Sequence, residues 1–168
     1  IARPDHWFKN VFMIPGMLLG WLASPSENVI ATFGWVLVGV IATCLICSSN
    51  YTLNEFLDRA TDRNHSQKRN RPAAAGRVKA FWAYVQWLLL AVAGLALSWL
   101  VGWQFFACEI ALFVMGVVYN VPPVRSKDLP YLDVLSESIN NPIRLLLGWY
   151  AVKCQLLPPA TLIFAYWM

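Results

Sequence analysis

Between Asn54 and Pro72 the chain reads NEFLDRATDRNHSQKRNRP, and three oxygen-bearing side chains recur in it at intervals of four: Asn54, Asp58 and Asp62. A helix turns about 100° per residue, so a four-residue step comes close to one full turn and the three oxygens share a face. A basic run follows at once, with Arg63, His65, Lys68, Arg69 and Arg71. Oxygen ligands beside a cationic cluster suit a diphosphate bound through Mg²⁺. That ion takes one or two carboxylates and fills its remaining positions with phosphate and water. Lys and Arg pair with phosphate oxygens, Arg in a bidentate fork. Asp58, Asp62 and Asn54 are therefore the candidate metal-ligating and catalytic residues, and Lys68, Arg69 and Arg71 are candidate phosphate contacts. A loop that merely anchored the chain by positive charge would explain the cations. It would not explain the Asn-Asp-Asp register.

The elements that hold this stretch are apolar. The chain has 168 residues, 58% of them hydrophobic and only 13% charged, with nine Trp. Soluble domains carry about 25% charged residues. Apolar runs near the length of a bilayer span recur at Phe8–Ala23, Val29–Leu53, Ala80–Trp99, Gly102–Tyr119, Tyr131–Val152 and Gln155–Met168. Trp and Tyr gather near their ends, as at a membrane interface. The fold expected is all-α, a polytopic transmembrane helix bundle forming a single domain over residues 1–168. A buried soluble core is excluded because no polar faces remain to cover it.

Charge sets the expected topology. Arg3 and Lys9 precede the first span. Arg59, Arg63, Lys68, Arg69, Arg71, Arg77 and Lys79 lie between the second and third, and Arg125 and Lys127 between the fourth and fifth. A cytoplasmic N-terminus puts all of them on the cytoplasmic side of a cell membrane. The Asp-rich loop and the Tyr119–Pro130 loop then lie on the same, cytoplasmic side. The net charge of +4 reflects this topology and anionic headgroups, so a lipid bilayer is the expected partner and no nucleic acid is.

Polar groups inside spans need partners or a cavity. Asp133, Glu137, Asn140, Asn141 and Arg144 form a polar stripe on the fifth span. Interhelical hydrogen bonding and a substrate-lining role both account for it, and Asp133, Glu137 and Arg144 are the candidates for the second. Glu109 is a lone acid in the fourth span, where structural pairing or interfacial placement is expected over catalysis. Cys44, Cys47, Cys108 and Cys154 make no framework and read as small hydrophobes in helices.

NEFLDRATD resembles the NDxxDxxxD signature of the UbiA superfamily of intramembrane prenyltransferases, with Glu55 where that signature has Asp. DRNHSQKRNRPAAAG is similar to the linker of that family, in which a Lys and an Arg-Pro pair precede a small-residue turn. YNVPPVRSKDLPYLD resembles its second cytoplasmic loop, which carries a Tyr and a Lys four residues on. Here Tyr119 is in place, position 123 is Pro, and Arg125 and Lys127 are the candidate cations. RPDHWFKN is similar to the opening of the decaprenyl-phosphate phosphoribosyltransferase subgroup, which makes Lys9 and Asn10, with Arg3, candidate contacts for an acceptor phosphate.

The resemblance implies a bundle of nine helices around a central cavity, with a second Asp-rich motif after the sixth. About six helices and one motif are expected in this chain, as in a C-terminally truncated piece of such a bundle. It also implies a Mg²⁺-dependent transferase with isoprenoid lipid and diphosphate substrates. Phosphoribosyl transfer to a polyprenyl phosphate leads. Prenyl transfer to an aromatic or other lipophilic acceptor is the alternative, and a non-catalytic membrane subunit is the reading from another class. Asp58 is expected to act as a ligand with no packing role.

Overall fold

The computed structural model describes residues 1–168, in which helices and turns account for all regular structure. A 3-10 segment, Pro4–Met13, leads into α1 (Ile14–Ala23). Helix α2 (Val29–Leu57) starts at Asn28, whose Oδ1 accepts from the Ala31 N–H at 2.9 Å and satisfies one of the free donors of the first turn. A short α3 (Arg59–Arg63) follows, and a polar linker leads to α4 (Ala80–Val101). Only Gly102 separates α4 from α5 (Trp103–Asn120); its φ of 152° is backbone that side chains disfavour, and it allows the reversal. The chain closes with α6 (Leu132–Ser138), α7 (Asn140–Ala151) and α8 (Ala160–Trp167).

Three helices, α2, α4 and α5, are long and apolar enough to cross a membrane. The remaining expected spans are divided. The first is 3-10 helix up to Met13 and α-helix only from Ile14. The fifth breaks between α6 and α7, because Pro142 has no N–H for the Ser138 carbonyl one turn before it. The last begins only at Ala160, after Pro158 and Pro159. Helix α2 in turn runs past Leu53 to Leu57, which carries Asn54 within the helix and places Asp58 at its C-cap.

Apolar contact joins α2 to α4 and α5, with Met13, Ala42, Ile46, Phe105, Leu112 and Leu147 buried in one cluster. The other seam runs between α1 and α7, where backbones touch. A Cβ on Gly16 would overlap the Leu145 carbonyl, and one on Gly148 would overlap the Met13 carbonyl. Such contact excludes any side chain at either position. Gly16→Ala or Gly148→Ala should therefore lower stability by about 1–3 kcal/mol. Gly34→Ala, with open space around it, should be neutral or stabilise by up to about 1 kcal/mol. Tryptophan-monitored thermal denaturation in detergent compares the three; equal midpoints would contradict the α1–α7 seam.

Candidate active site

The end of α2, the linker after α3, the end of α5 and the N-terminal 3-10 segment meet at one end of the bundle. They enclose a cavity of about 700 Å³, and of its 22 lining residues only 5 are hydrophobic. Asn54, Asp58 and Asp62 all line it, so the four-residue register does place the three oxygens on one face.

Each carboxylate is held by cations. Asp58 accepts from Lys127 Nζ at 2.7 and 2.8 Å and from Arg125 Nη2 at 2.9 Å. Arg125 reaches it from a left-handed backbone conformation, φ 30°, and also holds Asp128 at 2.6 Å. Such strain in a bulky residue marks a position that its surroundings over-determine. Asp62 is 4% exposed and accepts from Arg71 Nη1 at 2.7 Å. A carboxylate buried that far needs such a partner. Asn54 donates to Asn120 Oδ1 at 2.6 Å, and Lys127 donates to the same oxygen at 2.9 Å. Burial pushes the Lys127 ammonium pKa below its ordinary 10.5, and the Asp58 hydrogen bond and charge pull it part of the way back.

The linker is shaped from below. Glu55 is buried on another face of α2, away from the cavity, and accepts from the Ala73 N–H at 3.3 Å. Arg63 Nε donates to the Ala74 carbonyl at 2.9 Å. These two contacts pin the small-residue turn and swing Arg71 over Asp62.

Other expected residues divide. Lys9, Lys68, Tyr119, Glu137 and Arg144 line the cavity with Arg71, Arg125 and Lys127. Lys9 spans it to reach Glu137 at 3.4 Å. Arg69 and Asn10 do not line it. Arg69 is exposed on the outer side of the linker turn. Asn10 is buried between thiols, donating to Cys44 Sγ at 3.3 Å and accepting from Cys47 Sγ at 3.6 Å, which is a packing arrangement. Asp58 is more than a ligand candidate, because it also ties the 121–130 loop to α2. Glu109 is fully buried and accepts from Thr43 Oγ1, as structural pairing requires. Asn120 and Asn50 line the cavity without being foreseen, and Asn140, from the polar stripe of the fifth span, lines it too. For Asn120 the signal was available, since it follows Tyr119 at the end of the fourth span.

The donor set of Asp58, Asp62 and Asn54 is all oxygen, and no third acidic, His or Cys side chain joins it. Protein atoms alone leave most positions of a six-coordinate ion to phosphate and water. That fits Mg²⁺ shared with a diphosphate.

The model of the UbiA prenyltransferase family matches residues 12–168. A decaprenyl-phosphate phosphoribosyltransferase of Mycolicibacterium smegmatis is 31% identical over 165 residues, covering 98% of this chain and 51% of that protein. A protoheme IX farnesyltransferase of Klebsiella pneumoniae is 27% identical, covering 90% of this chain and 50% of its own length. The chain thus spans about half the length of the curated relatives it matches. Among solved structures, a UbiA homologue from Archaeoglobus fulgidus bound to DMAPP and Mg²⁺ superposes with a TM-score of 0.83 at 20% identity, over 99% of this chain and 57% of that one.

One consequence concerns the loop alone. Asp58→Asn leaves Lys127 and Arg125 without their carboxylate, so the opening free energy of residues 121–130 should fall by about 1–3 kcal/mol. Amide exchange should accelerate there and stay unchanged in α4. Unchanged exchange in the loop would contradict a tying role for Asp58.

Proposed function

The chain belongs to the UbiA prenyltransferase family, and from that premise we propose that it carries one diphosphate-binding half of a Mg²⁺-dependent intramembrane transferase. Its preferred donor is phosphoribosyl diphosphate and its acceptor a polyprenyl phosphate. The observation that carries the reading is the polarity of the cavity. A prenyl donor needs an apolar bed for its chain, and this lining is dominated by charged and amide side chains. The named phosphoribosyltransferase relatives and the RPDHWFKN opening support the same donor.

The chemistry follows from charge. The bond from the donor carbon to the diphosphate oxygen breaks, the electron pair leaves with the diphosphate, and an acceptor phosphate oxygen bonds to the carbon. Asp58 and Asp62, beside Asn54, would hold Mg²⁺, which would supply neutralisation of the leaving group. Lys127, Arg125 and Arg71 are placed to shift from carboxylate oxygens to phosphate oxygens as the donor arrives, and Lys68 lines the same cavity without a carboxylate partner. There they stabilise the charge that grows on the leaving group. Asn120 holds both the Asn54 amide and the Lys127 ammonium, and so fixes their aim. Arg3 and Lys9 lie at the N-terminal wall, where an acceptor phosphate would enter. This polar end is proposed to face the cytoplasm, as the charge distribution of the loops favours.

Prenyl transfer remains as a second reading because Leu112, Met115 and Tyr119 give one wall of the cavity an apolar strip on α5. It is also the chemistry of the farnesyltransferase relative.

Membranes bearing the full-length protein, with Mg²⁺, decide between the two. Labelled phosphoribosyl diphosphate with a polyprenyl phosphate should put label into lipid, and a labelled allylic diphosphate with 4-hydroxybenzoate should give no product. Chelation should stop the first reaction and added Mg²⁺ restore it. Asp62→Asn should slow it by at least about 100-fold. Product only in the second mixture would overturn the donor assignment, and full turnover in the Asp62→Asn protein would overturn the metal assignment.

A further inference from the structure

The polar end of the bundle carries a second group of cations, outside the cavity. Between Asn54 and Lys79 the acidic residues are Glu55, Asp58 and Asp62, and all three are taken. Glu55 is buried on the Ala73 N–H, Asp58 holds Lys127 and Arg125, and Asp62 holds Arg71. Arg59, Arg63, Arg77 and Lys79 enter none of the chain's ion pairs. None of the four lines the cavity.

Contacts gather these cations at one place. Arg59 and Arg63 lie one turn apart on α3. The Arg59 guanidinium sits 4.1 Å over the Phe56 ring, which meets Tyr84 of α4 edge-on at 5.4 Å. Arg63 Nε donates to the Ala74 carbonyl, and its Nη2 lies 4.0 Å from where a Cβ on Gly76 would stand. Arg77 follows Gly76 directly, and Lys79 is the N-cap of α4. Phe56, Ala73 and Ala83 pack together beneath them, with Val78 against the cluster. Arg63, Arg77 and Lys79 are exposed and Arg59 is half-buried. The first turn of α4 has no side-chain cap and no acidic residue, so its free N–H groups add to the positive potential there.

Directly after these cations α4 turns apolar, and it is long enough to cross a membrane. Phe81, Trp82, Leu88 and Leu89 are all exposed. Each aromatic precedes its leucine by seven residues, so the four lie along one stripe of the helix. The Phe81 and Trp82 rings meet edge-on at 5.3 Å beside the cations, the level at which aromatic side chains sit in a membrane interface.

We infer that Arg59, Arg63, Arg77 and Lys79 bind the phosphate headgroup of an anionic phospholipid in the leaflet at the polar end, with its acyl chains along the Phe81, Trp82, Leu88 and Leu89 stripe of α4. Charge selects the head, because four cations without carboxylates attract a net negative group. A zwitterionic lipid brings its own cation and gains less. The stripe selects a lipid over a soluble anion, because a free phosphate leaves those side chains uncovered. The inference stands apart from the donor assignment, since none of these residues lines the cavity.

Trp82 reports on the site. Full-length protein is reconstituted in phosphatidylcholine vesicles with a minor share of brominated-chain phosphatidylglycerol or, in parallel, the same share of brominated-chain phosphatidylcholine. The difference between wild type and Trp82→Phe isolates the quenching of Trp82. It should show phosphatidylglycerol preferred by about tenfold or more. Arg77→Gln with Lys79→Gln should reduce that preference by about fivefold or more, and Arg77→Lys with Lys79→Arg should keep it. Thermal midpoints in pure phosphatidylcholine should match the wild type, because exposed substitutions of this kind disturb no packing. Replacing chloride by inorganic phosphate at constant ionic strength should leave the preference unchanged. Equal quenching by the two brominated lipids in the wild type would overturn the inference, as would an unchanged preference in the Gln variant. Loss of the preference in inorganic phosphate would assign the cations to a soluble anion and overturn it too.

Discussion

Two carboxylates stand at the polar end of an apolar bundle, and neither is left without a cation. Asp58 is held by Lys127 and Arg125, and Asp62 by Arg71. Where little water reaches, an unpaired carboxylate is strongly unfavourable, so the segments that bring these cations have restricted choices. The 121–130 loop must fold back over the end of α2. The linker after α3 must turn so that Arg71 returns to Asp62, and Glu55 and Arg63 hold that turn from beneath. The convergence of α2, α5 and the linker at one end follows from this demand, together with the apolar packing of α2 on α4 and α5.

The same demand gives the site its proposed chemistry. A cavity in which both of these carboxylates already hold cations can exchange partners when a diphosphate and its metal enter together, because the incoming pair brings charges of both signs. Little net charge then has to be created in a medium of low dielectric.

Much of this was legible in the chain. The Asn54, Asp58 and Asp62 register needed only helical periodicity, and the composition together with six apolar runs gave the all-α membrane class. The agreement between loops on one side followed from counting cations, and the contact of Lys127 with Asp58 is its structural counterpart. Other features depend on packing that periodicity does not encode. Asn10 reads as a polar residue in a basic opening, yet it is buried against two thiols. Arg69 sits between two cavity-lining neighbours in sequence, Lys68 and Arg71, but a 3-10 turn directs it outward. Glu55 resembles a member of the acidic signature and instead braces the linker. Asn50 gave no signal, because its place depends on the absence of a side chain at Gly116, on another helix. The break at Ile139 was within reach, since Pro142 marks it, but hydropathy alone hid it.

The central claim is that Asp58 and Asp62 release their cations to phosphate and take up a metal in their place. A structure of the full-length protein with Mn²⁺ and inorganic diphosphate, with the ion located by anomalous scattering, tests it most directly. The account predicts an ion in direct contact with both carboxylates, at about 2.0–2.2 Å, and Lys127 and Arg71 on diphosphate oxygens. An ion bound elsewhere, with Lys127 still on Asp58 and Arg71 still on Asp62, would contradict it.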